Sequence, residues 1–283
     1  MDISVLHGLT ASNLETRPFA HLVRDRVYAD DLYAKLATAF PPPQRFVGGL
    51  TDIVSNQAIR IPAVDIIDNP EFDPLWRRFF AYHTSKEFWL EVLEVMGDGI
   101  RAAHPNLEKT FGKKLEDFIV SRRGSGIPGD IMLDALFVVN TPVTKASSVR
   151  PAHVDSENEI YAGLLYMRSD DDKTPGGDLS LYHFKGQPRF GGHYAELTDV
   201  VEDKTVSYAA NRLAAFVNSA ASVHGVTPRP PTDKYRRYIN IIGTTDPDVF
   251  DLPKLPLHRK LRFWLKRRLK KKPRGMMAKK SDY

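Results

Sequence analysis

Apolar residues recur at helical spacing in the first half of the chain and at strand spacing in the second. Leu32, Leu36 and Phe40 follow one another every four residues behind Asp30, which can cap the segment, and Pro41-Pro42-Pro43 stops it. This predicts a short amphipathic helix. Asp73-Pro74 opens a stretch that places Trp76, Phe79 and Phe80 on one face, and Ser85 can cap another that carries Phe88, Trp89, Val92, Leu93 and Met96 before Gly97. These aromatics read as core rather than as a cofactor stack. From about Asp130 the pattern changes to short β-type runs divided by Gly, Pro, Asn and Asp: 135–140, 160–167, 179–184, 212–218 and 236–242. The polar stretch 169–178 between the second and third runs is a loop ending in Gly176-Gly177-Asp178. Strands in succession without helical periods between them predict an α+β, mainly β fold: an antiparallel sandwich or jelly roll with the earlier helices packed on one sheet.

With no internal repeat and no long linker, 283 residues fit one large domain with trimmings. We assign it to 1–257, with a β-rich core at about 130–245 supported by helices in 1–129, followed by a basic tail at 258–283. The 42% hydrophobic and 27% charged residues are close to the averages for soluble domains. No apolar run approaches the ~18 residues of a spanning helix, and Met1-Asp2-Ile3-Ser4 lacks the start of a secretory signal, so the expected location is cytoplasmic. Zero cysteines exclude disulfides, thiolate metal sites, iron–sulfur clusters and cysteine nucleophiles. Any metal must therefore be held by His, Asp, Glu or backbone oxygen.

The formal net charge of +5 is unevenly placed. Twelve of the 40 Lys and Arg lie between His258 and Tyr283 against one acid, Asp282, which leaves 28 basic and 34 acidic side chains in the rest of the chain. The main domain is thus mildly acidic, which argues against nucleic acid as its partner. In the tail, Leu257, Leu261, Phe263, Trp264, Leu265 and Leu269 are interleaved with the basic residues, as in a basic amphipathic helix. Such a helix can pack on the main domain or lie on an anionic membrane. Its apolar face favours the membrane over simple phosphate binding and makes a peripheral membrane location the functional expectation.

The most informative local pattern is His153-Val154-Asp155. On an extended strand, residues two apart share a face, so an imidazole and a carboxylate here can hold one metal ion. Alone the triplet is weak, since a surface His beside a turn-forming Asp reads the same way. A second histidine, His224, follows after the intervening strands. Two His and one carboxylate form a facial triad, the ligand set that leaves open positions on Fe(II), and zinc also accepts these ligands. The last β-type run contributes a cation. Arg236, Tyr238 and Asn240 share one face, while Arg237, Ile239 and Ile241 share the other. If the apolar face packs on the helices, Arg236 points into the barrel mouth, where a guanidinium fork can grip a carboxylate; the alternative is a pair of solvated edge charges.

In this order, His153 and Asp155, the 164–167 run, Gly176-Gly177-Asp178-Leu179-Ser180-Leu181-Tyr182, His224-Gly225-Val226 and the Arg236 strand resemble the Fe(II)- and 2-oxoglutarate-dependent dioxygenases, particularly the branch of the prolyl 4-hydroxylases. The resemblance runs from about Asp134 to Ile242, with a fainter likeness at Pro18–Val23 and the Leu32/Leu36/Phe40 helix. It implies a double-stranded β-helix with His153, Asp155 and His224 as iron ligands and Arg236 on the distal carboxylate of 2-oxoglutarate. It also implies that Tyr166 donates its hydroxyl to that same carboxylate. The 12 residues separating His224 from Arg236 exceed the usual spacing and leave the choice between Arg236 and Arg237 open. The implied activity is hydroxylation of an unactivated C–H, using O2 and 2-oxoglutarate as co-substrates, releasing succinate and CO2, with ascorbate in support. The substrate is unidentified, and so is the oligomeric state. The rival from another class is a non-catalytic jelly-roll binding protein of the cupin or lectin kind. His183 and His193, which flank a loop bordering the mouth, are not expected to be ligands.

Overall fold

The computed structural model describes residues 3–48 and 52–254, and among these ten strands form two sheets with helices on one side. The basic tail and its expected membrane-facing helix lie outside the described residues. Among those described, no helix is long and apolar enough to cross a membrane.

The helices form where the spacing predicts them. Helix α1 (Asp30–Thr38) buries Leu32 and Leu36, although Ala29 rather than Asp30 occupies its cap position. Asp30 instead opens the helix, where its charge favours the positive end of the helix dipole. A one-turn helix, α2 (Pro43–Val47), follows the proline run. The Asp73 carboxylate accepts a hydrogen bond from Leu75 N at 2.7 Å and starts α3 (Pro74–His83), which buries Trp76, Phe79 and Phe80. Ser85 Oγ accepts from Phe88 N and starts α4 (Lys86–Ala103), which continues past Gly97 to end before Pro105. A second glycine explains the continuation. A Cβ at Gly99 would lie 2.9 Å from Leu14 Cδ2 and 3.0 Å from Ala20 Cβ, so the missing side chain lets α4 close on the 14–20 segment. That close packing outweighs the roughly 1 kcal/mol a glycine costs inside a helix. Helix α5 (Leu107–Phe111) completes the set.

The strands are β1 (His21–Arg24), β2 (Ala58–Pro62), β3 (Val120–Arg122), β4 (Ile131–Asn140), β5 (Glu159–Tyr166), β6 (Leu179–Phe184), β7 (Val200–Val206), β8 (Arg212–Val217), β9 (His224–Val226) and β10 (Arg236–Thr244). The large sheet runs β1-β8-β5-β10-β4-β2, with β3 added in parallel to the start of β4, and the small sheet runs β7-β6-β9. From β4 onward the chain passes between the sheets: β4 large, a bridge at His153 small, β5 large, β6 and β7 small, β8 large, β9 small, β10 large. That alternation winds the antiparallel strands into a double-stranded β-helix, the jelly roll expected from the sequence. The helical half is less purely helical than expected, because it also supplies β1, β2 and β3 to the large sheet.

Alternation along β4 and β10 separates two cores. Ile131, Leu133, Ala135, Phe137 and Val139 of β4, with Ile239 and Ile241 of β10, face the helices and join Trp76, Phe79, Phe80, Trp89 and Met96. The indole of Trp76 lies 4.8 Å from the Phe137 ring, and its Nε1–H donates to Leu36 O. Each such aromatic contributes roughly 1.5–3 kcal/mol by leaving water, so this layer anchors the large sheet. Leu136, Val138, Tyr238 and Ile242 face inward with Ala162, Tyr166, Leu179, Leu181 and Phe216, filling the space between the sheets. The face of β10 that carries Arg236 is therefore the inner one.

Candidate metal centre

The two histidines meet because their backbones pair. His153 N donates to His224 O and His224 N to His153 O, both at 2.8 Å, which brings the imidazole centroids to 4.3 Å. His153 is therefore held by single-residue bridges to His224 and Tyr194 rather than by the extended strand predicted from its triplet. A second set of bonds fixes its far side: Val154 N donates to His193 O and Ala195 N to Ala152 O. Each ring is also oriented. The Nδ1–H of His153 donates to Pro151 O at 2.7 Å, and that of His224 donates to Ser222 O at 2.9 Å. Since a carbonyl only accepts, each Nδ1 carries a proton, which makes Nε2 the ligand atom of the neutral ring.

The two Nε2 atoms converge with the Asp155 carboxylate. Its Oδ1 lies 3.6 Å from His153 Nε2 and its Oδ2 3.3 Å from His224 Nε2, and the three ligand atoms fall within 4.8 Å of one another. Burial, chiefly, with the neighbouring His224 imidazole, pushes His153 down to about 4, so this ring is neutral at ordinary pH, the form that binds a metal. Burial opposes the charge of Asp155, yet the surrounding imidazoles and Arg150 outweigh it and hold the carboxyl well below its usual range. Arg150 Nη1 donates to Asp155 Oδ1 at 2.7 Å, which orients that oxygen. His153 Nε2 is buried without a hydrogen-bond partner among the described residues. A buried acceptor left empty between two further ligand atoms is what a metal centre requires, and the donor set fits a ferrous ion.

Inside the barrel the structure separates the two arginines that the sequence left open. Arg236 is 1% exposed; its Nε donates to Gly177 O at 2.8 Å and its Nη1 to Asn140 Oδ1 at 3.2 Å, while Nη2 has no partner. Its guanidinium sits 4.7–5.1 Å from the ring centres of Tyr166, Tyr208 and Tyr238. Tyr166 is fully buried, its hydroxyl pushed up to about 12 chiefly by that burial, and its oxygen also lacks a partner. Arg237 is on the opposite face, where Nε donates to Met167 O and the guanidinium lies over Phe40. The structure therefore does not bring Arg237 to the site, because successive residues on a strand face opposite sides of the sheet.

Sequence reasoning missed Asn140, whose Nδ2 is a further unpartnered donor beside Arg236. As the last residue of an apolar strand it reads as a turn former, and only the pairing of Arg236 with Asn140 shows otherwise. His193, set aside as a ligand, donates from Nδ1 to Asp155 O at 3.2 Å and so supports the site through the backbone. His183 pairs with Asp203 on the surface.

Asp134, on the inward side of β4, is a buried carboxyl raised to about 7 by desolvation, although Ala63 N donates to its Oδ1. In an unfolded chain the same group titrates near ~3.9. The folded state thus prefers the protonated form, and stability present below about pH 4 is lost as the pH rises through 7, by up to about 4 kcal/mol. Asp134→Asn keeps the oxygen that Ala63 N needs and is expected to remove this loss. Urea midpoints should match wild type near pH 4 and exceed it at pH 8; parallel curves at both pH values would refute the assignment.

No protein-family model matches the chain, and no curated protein matches it. Solved structures share its outline at low identity. A prolyl-4-hydroxylase from Pseudomonas putida is 14% identical over 80% of this chain and 93% of its own, with a TM-score of 0.43. A prolyl 4-hydroxylase from Phytophthora capsici is 14% identical over 94% of this chain and 70% of its own, with a TM-score of 0.46. HygX from Streptomyces hygroscopicus, solved with nickel, 2-oxoglutarate and hygromycin B bound, is 13% identical over 80% of this chain and 83% of its own, with a TM-score of 0.38.

Proposed function

We propose that the protein is a 2-oxoglutarate-dependent oxygenase that holds Fe(II) through His153, Asp155 and His224. The observation that carries this reading is a three-ligand cluster together with a second group of buried, unsatisfied donors inside the same barrel. Three metal-ligating atoms lie within 4.8 Å of one another, and Arg236, Tyr166 and Asn140 present unpartnered donors inside the barrel. A metal centre alone accounts for the first group. A co-substrate carrying a carboxylate at its far end accounts for the second, since a buried guanidinium without an anion is costly.

Fe(II) and 2-oxoglutarate, when bound, would supply the oxidising chemistry: one oxygen atom of O2 converts C–H to C–OH, and the other enters succinate as 2-oxoglutarate loses CO2. The chain itself holds and orients. Pro151 O and Ser222 O fix the two imidazoles, and Arg150 fixes Asp155. Arg236 and Tyr166 grip the distal carboxylate, and the apolar residues around them keep water from the reacting centre. The substrate enters from the mouth beside Asp155, where loop residues His193 and Tyr194 lie.

The test is an anaerobic titration of the full chain with Fe(II) and then 2-oxoglutarate. Bidentate chelation of the keto acid at a ferrous centre gives a weak visible charge-transfer absorption. A chain that takes up Fe(II) yet shows neither this absorption nor 2-oxoglutarate binding is a metal-binding jelly roll without oxygenase chemistry.

A further inference from the structure

Arg236 is not the only buried arginine beside Gly177. Arg229, from the proline-rich loop that lengthens the interval between His224 and Arg236, is only 2% exposed. Its Nη2 donates to Lys234 O at 2.7 Å, and its Nη1 has no partner among the described residues. Gly177 marks where the two arginines converge. Its backbone is in the left-handed region at φ +78°, and a Cβ there would lie 3.2 Å from the Cδ atoms of both Arg229 and Arg236. Glycine is needed for the conformation and for the space.

The local charges do not cancel. Arg168 and Arg236 both lie against the Tyr208 ring, at 5.2 and 4.9 Å, and Arg229 is their electrostatic neighbour. The carboxylates available to these three are Asp172 and Asp178. Asp172 is the main counter-charge felt by Arg229, approaches Arg168 at 4.0 Å and keeps one buried oxygen, Oδ2, without a hydrogen-bond partner. Asp178 is occupied by Tyr208 N at 2.8 Å and by the Thr227 hydroxyl at 3.4 Å. Three guanidiniums against two carboxylates leave one positive charge in a buried pocket.

We propose that Arg229 is a second anchor for the distal carboxylate of the co-substrate, an inference that rests on the oxygenase reading. Arg236 Nη2, Tyr166 Oη and Asn140 Nδ2 are unpartnered donors around one guanidinium, and Arg229 Nη1 is a fourth, on the arginine that shares Gly177 with Arg236. A carboxylate has about four lone-pair sites, so one such group satisfies all of these donors and cancels the residual charge. The pocket is thereby selective for a 2-oxo diacid over a 2-oxo monoacid of the same length.

Calorimetric titration of the full chain loaded with Mn(II) tests this by comparing 2-oxoglutarate with 2-oxopentanoate, which has the same carbon chain and no distal carboxylate. In Arg229→Gln the preference for the diacid is expected to fall about tenfold or more, the loss of one charge-assisted hydrogen bond, while 2-oxopentanoate affinity stays within about twofold of wild type. An unchanged preference overturns the inference, because a purely structural arginine would weaken both acids alike. If the glutamine variant does not fold, Arg229→Lys is read in the same way. It keeps the charge but not the fork, so a smaller fall in preference supports the assignment and a wild-type preference overturns it. A wild-type chain that binds neither acid removes the oxygenase reading itself, whereas one that binds 2-oxoglutarate without help from Arg229 removes only this inference.

Discussion

Asp155→Ala is expected to lower the affinity of the full chain for Fe(II) or Mn(II) by at least ~100-fold and to abolish succinate release from 2-oxoglutarate. Losing a residue that merely supports a metal ligand already costs ~10–100-fold, and Asp155 supplies the only carboxylate of the His153–Asp155–His224 cluster. The substitution also removes the partner of Arg150 Nη1, leaving a guanidinium beside two imidazoles without its hydrogen-bonded carboxylate. A cation then faces the metal position, and repulsion adds to the missing bond. The fold should survive, because Asp155 lies in a loop and the backbone bonds of Val154 and His153 do not involve its side chain. Metal titration by calorimetry, with circular dichroism as the control for folding, reads both effects. Wild-type metal affinity in this variant would end the case for the site.

Arg236→Met is expected to weaken 2-oxoglutarate binding by about 100-fold or more while leaving metal affinity close to wild type. On the proposed reading the guanidinium supplies the main charge for the distal carboxylate, and charge-assisted hydrogen bonds are each worth about 1.5–3 kcal/mol. Opposing terms govern the ligand-free protein. The substitution strands Gly177 O and Asn140 Oδ1 and forfeits the tyrosine-ring contacts, but it also takes an uncompensated cation out of a buried pocket. With these terms opposed, the melting temperature should move by only a few degrees, and weak binding cannot then be ascribed to unfolding. A large loss of metal affinity together with 2-oxoglutarate affinity would mean that Arg236 supports the fold rather than the ligand.

Much of the site was legible because local physics spells it out. An imidazole and a carboxylate two residues apart, a later histidine and an arginine on a strand with one apolar face are visible as residue types and intervals. The caps at Asp73 and Ser85 were legible for the same reason: a side chain that bonds the first turn of its own helix is a short-range event. Strands of low local signal were not. In β7, Glu202, Asp203 and Lys204 interrupt the apolar pattern, because this strand is at the edge of the small sheet, where charge discourages further pairing. At four residues, β1 is too short to show any period, and it forms because β8 offers it a partner.

Residue order thus sufficed for the class of fold, the metal-ligand candidates and the idea of a buried arginine, since each depends on periods of two or four and on side-chain chemistry. Three-dimensional packing settled the rest. It chose Arg236 over Arg237, because the helices cover the Ile239 and Ile241 face of β10 and leave the other face to the barrel. It paired Asn140 with Arg236 across 96 residues of chain and brought Arg229, 7 residues before Arg236, against the same glycine, Gly177. Which polar atoms remain unsatisfied after folding is a property of the assembled interior, because every donor in an isolated segment is satisfied by water.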